Sequence, residues 1–264
     1  NVTTLLDGYS ALKDVIDDTA HFTNLDDRAF TANDGGGISI ANANTLNAFT
    51  SGKVTATIQN ADANVATLNN VDAEVALNAG DGSVNEYTIT ITDTSVAYTQ
   101  LESLKSKTAL AVNLNNTTTV SGSLADASNF NTDVTNSEFA NTSSIATISL
   151  TSAEIVDAAT LVSLTEAPGN IRTTINGSVN LALTSTTGIT GTYSNLESVI
   201  DSTIITGLAA ETLEVTGGGT VSVSEANKLS GATTGLVTAT LNTGALSTFA
   251  TLADAGGQVN NFTI

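Results

Sequence analysis

The 264-residue sequence has no cysteine, no methionine and no tryptophan, and it has one histidine and one proline. Without cysteine there are no disulfides, no thiol nucleophile and no thiolate metal site. Methionine is missing even at position 1, so the first residue is not read as a translation start. Basic residues are scarce: 7 Lys and Arg stand against 26 Asp and Glu, a formal net charge of −19. That field repels nucleic acid and anionic membrane surfaces, and neither is expected as a partner. No run approaches the roughly 18 consecutive apolar residues of a membrane-spanning helix, and no signal-peptide pattern is visible. Aromatic residues make up 4% of the chain while hydrophobic residues make up 41%. Leu, Ile, Val and Ala therefore supply nearly all the apolar mass. A large spherical core usually takes some big rings to fill its volume, whereas thin stacked layers do not need them.

What the chain does contain is internal repetition. The stretch Gly82–Leu104, GSVNEYTITITDTSVAYTQLESL, recurs without a gap 95 positions later at Gly177–Val199, GSVNLALTSTTGITGTYSNLESV. Its closing half appears near the start from Tyr9 to Val15, and its opening half appears again from Gly257 to Ile264. A second block, Ile38–Ile58, aligns without gaps to Val221–Leu241, with ten of twenty-one positions identical. Both blocks place residues of the first part of the chain about 184 positions before their counterparts, which establishes the repeat. The expected organisation is a first unit at 1–81, entered part-way, a second at 82–176, a third at 177–256 and the opening of a fourth at 257–264. The chain reads as a piece of a longer array.

The periodicities inside a unit predict alternating strands and helices. Thr88-Ile89-Thr90-Ile91-Thr92 alternates with period two, so one face carries Ile and the other Thr. Tyr9, Leu12, Val15 and Ile16 fall at helical spacing, with Ser10 as the expected N-cap. Thr151-Ser152-Ala153-Glu154 has the form of a capping box opening a helix over Ala153–Leu164, and Ser194 and Glu197 offer the same arrangement. Short strands are expected at Thr19–Leu25, Thr108–Leu114 and Ser202–Leu208, and again at Val54–Ile58, Ile145–Leu150 and Val237–Leu241. Further helices are expected at Ala61–Leu68 and Ala245–Leu252. Gly35–Ala41 and Gly218–Ser224 read as a Gly-rich turn followed by a strand, and Ala167-Pro168-Gly169-Asn170 reads as a tight turn. Adjacent parallel strands need a crossover, usually helical and right-handed. The expected fold is thus a β-rich α/β repeat, a parallel β/α solenoid with short crossover helices and an exposed hydroxyl-rich Thr face. The alternative is a string of β-sandwich domains of roughly 90 residues.

Chemistry-bearing patterns are few. His21 is the sole candidate base for a catalytic triad, and it occupies a position held by Leu110 and Ile204 in the sister segments, which favours a partly buried or edge histidine. No Gly-x-Ser-x-Gly elbow occurs, and no phosphate-cradling loop carries a lysine. Asp17/Asp18 and Asp26/Asp27 are adjacent in sequence, whereas glycosidase carboxylates face each other across a cleft. The Asx-Gly turns at Asn33-Asp34-Gly35, Asn78–Gly82 and Asp254–Gly257 make Asp34, Asp81 and Asp254 the candidate calcium ligands, because hard cations take oxygen from carboxylates and carbonyls. The corresponding junction Ile175-Asn176-Gly177 has no acid, and Asx-Gly is also the ordinary choice for a turn. Asn-x-Ser/Thr sequons start at Asn1, Asn115, Asn116, Asn141, Asn176 and Asn261, which an Asn- and Thr-rich chain generates by chance. Tyr9, Tyr98 and Tyr193 hold one repeat position, which points to packing and away from a sugar-binding platform.

The phrases VSVSEANKL, TTGLVTATL, ALSTFATL and VNEYTITITDTSVAYTQLESL resemble tandem repeats in very large secreted bacterial cell-surface or surface-layer proteins of cyanobacterial and marine type. Almost the whole chain shares the resemblance. It implies an extracellular, non-enzymatic structural or assembly segment of a surface layer, fibre or adhesin stalk, which self-associates with further repeats or copies and has cell-surface polysaccharide as a candidate partner. Some proteins of this kind end in calcium-binding nonapeptides, a motif missing from this chain, and no catalytic residue carries over. A calcium-dependent adhesin module and a carbohydrate-binding or carbohydrate-active solenoid are the alternative expectations.

Overall fold

The computed structural model describes residues 3–60, 85–253 and 260–264. In chain order the strands and helices are β1 (Thr4–Asp7), α1 (Tyr9–Asp17), β2 (Ala29–Ala32), α2 (Ile40–Phe49), β3 (Val54–Thr57), β4 (Glu86–Thr88), β5 (Ser95–Ala97), α3 (Tyr98–Lys105) and β6 (Val112–Asn113). They continue with β7 (Thr119–Gly122), α4 (Leu124–Thr135), β8 (Phe139–Ala140), β9 (Thr147–Leu150), β10 (Ile155–Asp157), α5 (Ala158–Glu166), α6 (Ile171–Thr174), β11 (Asn180–Leu183) and β12 (Gly188–Gly191). The last are α7 (Tyr193–Asp201), β13 (Ile205–Thr206), β14 (Thr212–Val215), α8 (Val223–Ala232), β15 (Val237–Thr240), α9 (Leu246–Phe249) and β16 (Asn261–Thr263). The expected helix Ala61–Leu68 and the turn Asn78–Gly82 lie outside the described residues.

The chain divides into two compact units, Asn1–Thr118 with Thr132–Ser144, and Thr119–Asn131 with Ile145–Ile264. In the first unit the strands run in the order β1-β2-β3-β4, and β6 pairs with β8. In the second, β13-β11-β9-β7 are neighbours in one sheet and β10-β12-β14-β15-β16 in another. Each of these pairings is parallel. A β-sandwich is built from antiparallel strands, so the sandwich alternative is excluded for these sheets. Phe30 lies opposite Val54 and Leu213 opposite Val237, each 24 residues on, while Ile155 lies opposite Gly188, 33 residues on. That step is shorter than the 95- and 80-residue sequence units, so each such unit spans several strand-to-strand steps. Helices α1, α2, α7 and α8 lie between paired strands, as parallel neighbours require.

The aliphatic pattern dictates the core. Tyr87, Ile89 and Ile91 are buried, Thr88 and Thr92 are exposed and Thr90 is half-buried, the alternation of a strand with one inward face. The aligned blocks bury matching residues: Ile38, Ile40, Ala43, Leu46, Val54, Ala56 and Ile58 in the first unit, and Val221, Val223, Ala226, Leu229, Val237, Ala239 and Leu241 in the second. Each pair is separated by 183 positions. In both blocks the expected strand after the Gly turn shrinks to one bridge, Ile38 with Ile58 and Val221 with Leu241, before the helix begins. The cause is the serine that follows: Ser39 accepts from the Asn42 N–H and Ser222 from the Glu225 N–H, which starts α2 and α8 at once. Ser222 and Glu225 form a full capping box.

Several local expectations are corrected by tertiary contacts. Ser10 lies inside α1, whose N-cap is Gly8, a residue without a capping side chain. Thr151–Glu154 does not open a helix: β10 intervenes, α5 starts at Ala158, and Asp157 caps it by accepting from the Thr160 N–H. Thr192 caps α7, and Glu197 accepts from the Tyr193 hydroxyl instead. Thr19–Leu25 forms turns, whereas its counterparts contain β6 and β13. The gap-free match of Gly82 with Gly177 also hides a change of face. Tyr87 and Ile89 point inward in one copy, but in the other the buried residues are Leu181 and Leu183, one position out of phase. The aligned residue Ala182 is small and Leu flanks it on both sides, so the larger side chains take the core and the strand turns over. The Pro168 turn forms as expected, with Asn170 N–H donating to Ala167 O and Gly169 at φ +80°.

Candidate functional site

The three candidate calcium ligands are not assembled into a described site. Asp81 and Asp254 lie outside the described residues. Asp34 sits in the turn after β2, where its Oδ2 accepts from the Tyr9 N–H at 2.8 Å. This carboxylate supplies the cap that Gly8 lacks and places negative charge at the positive end of α1. The matching positions in the second unit exchange these roles: Thr192 takes the place of Gly8 and caps α7 itself, while Gly217 takes the place of Asp34. Glu154 behaves like Asp34, its Oε1 accepting from the Leu124 N–H at the start of α4. Among the described residues no three His, Cys, Asp or Glu side chains form a metal-binding group.

His21 is neither in a strand nor at an edge. It stands in a turn with its side chain 79% exposed, and Nδ1 contacts both carboxylate oxygens of Asp18. Asp17 pairs with Lys13 and Asp27 with Arg28. These acids are used in local ion pairs on exposed surface, which contribute little individually.

Among the described residues, the buried polar side chains link neighbouring parallel strands and the turns beside them. Thr50, Thr108 and Thr233 are buried. The Thr50 hydroxyl donates to Arg28 O at 2.6 Å and accepts from Gly52 N–H at 2.9 Å. Thr233 repeats this, donating to Glu211 O at 2.7 Å and accepting from Gly235 N–H at 2.9 Å. Thr108 donates to Tyr87 O at 2.8 Å and accepts from Leu110 N–H at 3.1 Å. One hydroxyl thus satisfies a carbonyl at or beside the neighbouring parallel strand and an amide two residues along its own turn, both of which would be costly to bury unpaired. Gly52 follows because an added Cβ would stand 2.5 Å from Arg28 O.

Asparagine performs the same task with its amide. Val54 N–H donates to Asn85 Oδ1 at 2.8 Å, and Asn85 Nδ2 donates to Asn47 Oδ1. In the second unit Val237 N–H donates to Asn260 Oδ1 at 3.1 Å, and Asn260 Nδ2 donates to Ser230 Oγ. Asn180, the third member by sequence, accepts instead from the Arg172 guanidinium because its strand has changed face. The spacing of the Gly-Ser-Val-Asn motif signalled these residues as repeat markers but not their role, since the partner amides lie about 23 to 31 residues away.

Tyrosine carries the remaining connections. Tyr98 is 1% exposed, and its hydroxyl donates to Asp133 Oδ2 at 2.7 Å, where Lys105 Nζ also binds. Tyr193 donates to Glu197, and Lys228 pairs with both Glu197 and Asp201. Hydrogen bonds from Lys228 and then Tyr193 hold the Glu197 carboxyl below its ordinary range. Burial, then the bond to Glu197, pushes the Tyr193 phenol up to about 12. Burial likewise raises the Tyr87 phenol. Tyr98 is thus buried and bonds to the neighbouring helix α4, whereas the Tyr193 hydroxyl bonds within its own helix α7. These groups join structural elements, and each is satisfied by neighbours in the fold.

Among the described residues no helix is long and apolar enough to cross a membrane. Compared with protein-family models, curated proteins and solved structures, the chain matches none.

Proposed function

We propose that this chain is a non-enzymatic structural segment, a parallel β/α solenoid that serves as a spacer or assembly element of an extracellular bacterial surface protein. The observation that carries the reading is the use of its polar side chains. The Thr50 and Thr233 hydroxyls, and the Asn85 and Asn260 amides, bind one strand level to the next at matched positions of the repeated blocks, and the Thr108 hydroxyl makes the same kind of link elsewhere in the chain. A fold whose levels each contact mainly their neighbours gains stability by near-additive increments and tolerates changes in level number. Self-association through further levels of the same kind is the partner mode that this construction favours. The extracellular assignment rests on the resemblance of the repeats to those of large secreted surface proteins.

Removal of one level tests the reading. Phe30 pairs with Val54, so deleting residues 30–53 removes one register step and brings β1 beside β3. A solenoid retains its circular-dichroism spectrum and melts cooperatively at a lower temperature. A fold in which Phe30 anchors a single non-repeating core loses cooperative melting altogether, and that result overturns the proposal.

A further inference from the structure

The turn between α6 and β11 carries the chain's sole Asn-Gly dipeptide, Asn176-Gly177. Its geometry brings together the groups of an intramolecular acyl transfer. Asn176 Oδ1 accepts from the Ser178 N–H at 2.8 Å, a bond that polarises the Cγ carbonyl and faces the negative charge that would develop on that oxygen. The neighbouring nucleophile is the Gly177 backbone nitrogen. Gly177 is exposed, and among the described residues its N–H makes no hydrogen bond. Gly177 has no side chain to hinder the approach of its nitrogen to Cγ.

The same amide has a structural duty. Asn176 Nδ2 donates to Ile145 O, and Asn180 N–H donates to Ala146 O at 3.0 Å. The side chain thus adds one rung just ahead of the β9–β11 ladder, where Thr147 lies opposite Asn180. A carboxylate at this position has no hydrogen to donate and sets acceptor against acceptor at the Ile145 carbonyl.

We infer that Asn176-Gly177 is a site of spontaneous covalent modification, where the Gly177 nitrogen displaces the Asn176 amide group and the β9–β11 pairing loses the rung beside it. Solvent hydroxide takes the Gly177 N–H proton, the bond from Gly177 N to Cγ forms, and the Cγ–Nδ2 bond breaks. Ammonia leaves, and a cyclic succinimide remains. Water then opens the ring: attack at Cγ gives aspartate, and attack at the Asn176 main-chain carbonyl gives isoaspartate. No electron is gained or lost; an amide and water become a carboxylate and ammonium. The Nδ2 bond to Ile145 O opens before ammonia departs, so the rate follows local opening of this turn.

The test incubates the purified chain in mildly alkaline buffer and follows each asparagine by peptide mapping, which reads the aspartate and isoaspartate products separately. Asn176 converts more than about 10-fold faster than the exposed Asn115 and Asn141, which precede Asn116 and Thr142. Gly177→Ala slows conversion by about 10-fold or more, and it keeps the fold because an added Cβ meets nothing within 4 Å. Asn176→Asp, which installs the aspartate product directly, lowers Tm in calorimetry by about 2–4 °C. Conversion at Asn176 no faster than at Asn115 and Asn141, or undiminished in Gly177→Ala, overturns the site. An Asn176→Asp chain that melts at the parent's temperature overturns the loss of the rung.

Discussion

Replacing Thr233 with Val removes one hydroxyl and adds a methyl of nearly the same size, so packing volume is conserved. The hydroxyl donates to Glu211 O at 2.7 Å and accepts from Gly235 N–H at 2.9 Å. Valine leaves both backbone groups without that partner, the Glu211 carbonyl in a buried position and the Gly235 N–H in a part-buried one. An unsatisfied buried group costs about 1–3 kcal/mol, so two such groups give a loss of about 2–4 kcal/mol once part of the cost is relieved by relaxation. At about 2–4 °C per kcal/mol for a chain approaching this size, Tm falls by about 4–16 °C. The control is Thr234→Val, which removes an exposed hydroxyl whose bond to Ala209 O is 3.1 Å long. Its effect stays within about 0.5 kcal/mol, the range for exposed sites. Differential scanning calorimetry on the two variants measures both, and Thr50→Val repeats the experiment in the first unit. A Thr233→Val loss no larger than that of Thr234→Val refutes the view that this hydroxyl links neighbouring parallel strands.

Three further outcomes follow from the same construction. Gly52→Ala places a Cβ 2.5 Å from Arg28 O and destabilises by about 1–3 kcal/mol, whereas Gly36→Ala meets open space and stays near neutral, as urea unfolding of each variant shows. Glu197, with its folded pKa lowered, adds stability above its unfolded value near 4.3 that is lost as pH falls through the folded value; Tyr193, raised to about 12, adds stability that is lost as pH rises from about 10 through 12. Tm measured against pH for the parent chain and for Glu197→Gln checks this, and the acid limb flattens in the variant. Any difference between melting curves recorded in excess calcium and in excess chelator is unchanged by Asp34→Asn, because Asp34 is used as a helix cap; a folded-state ligand at a thousandfold over its Kd would add about 4 kcal/mol, and loss of an effect of that scale in the variant would restore Asp34 as a calcium ligand.

The sequence alone determined the alternation of strands and helices, the matched blocks and the core. Those features are local or periodic: Ile89 and Ile91 are two apart, Ser222 and Glu225 three apart, and Val54-Thr55-Ala56-Thr57 reads the same as its copy at Val237. It also showed which residues mark the repeat. What those residues do was decided by tertiary structure, because their partners lie on a neighbouring parallel strand about 22 to 31 residues away along the chain. Asp34 looks like a turn acid in a calcium pattern until Tyr9 N–H is found against it, 25 residues back. Glu154 looks like half of a capping box until it is seen to cap α4, 30 residues back. The phase of β11 escaped sequence alignment because Asn180 and Asn85 are identical letters on strands that face opposite ways, and only the competition of Leu181 and Leu183 with Ala182 for the core fixes the face. Parallel pairing carries short-range periodicity into long-range contact. The sequence sets the pattern within a strand or helix, and the pairing of distant parallel strands decides which polar atom meets which.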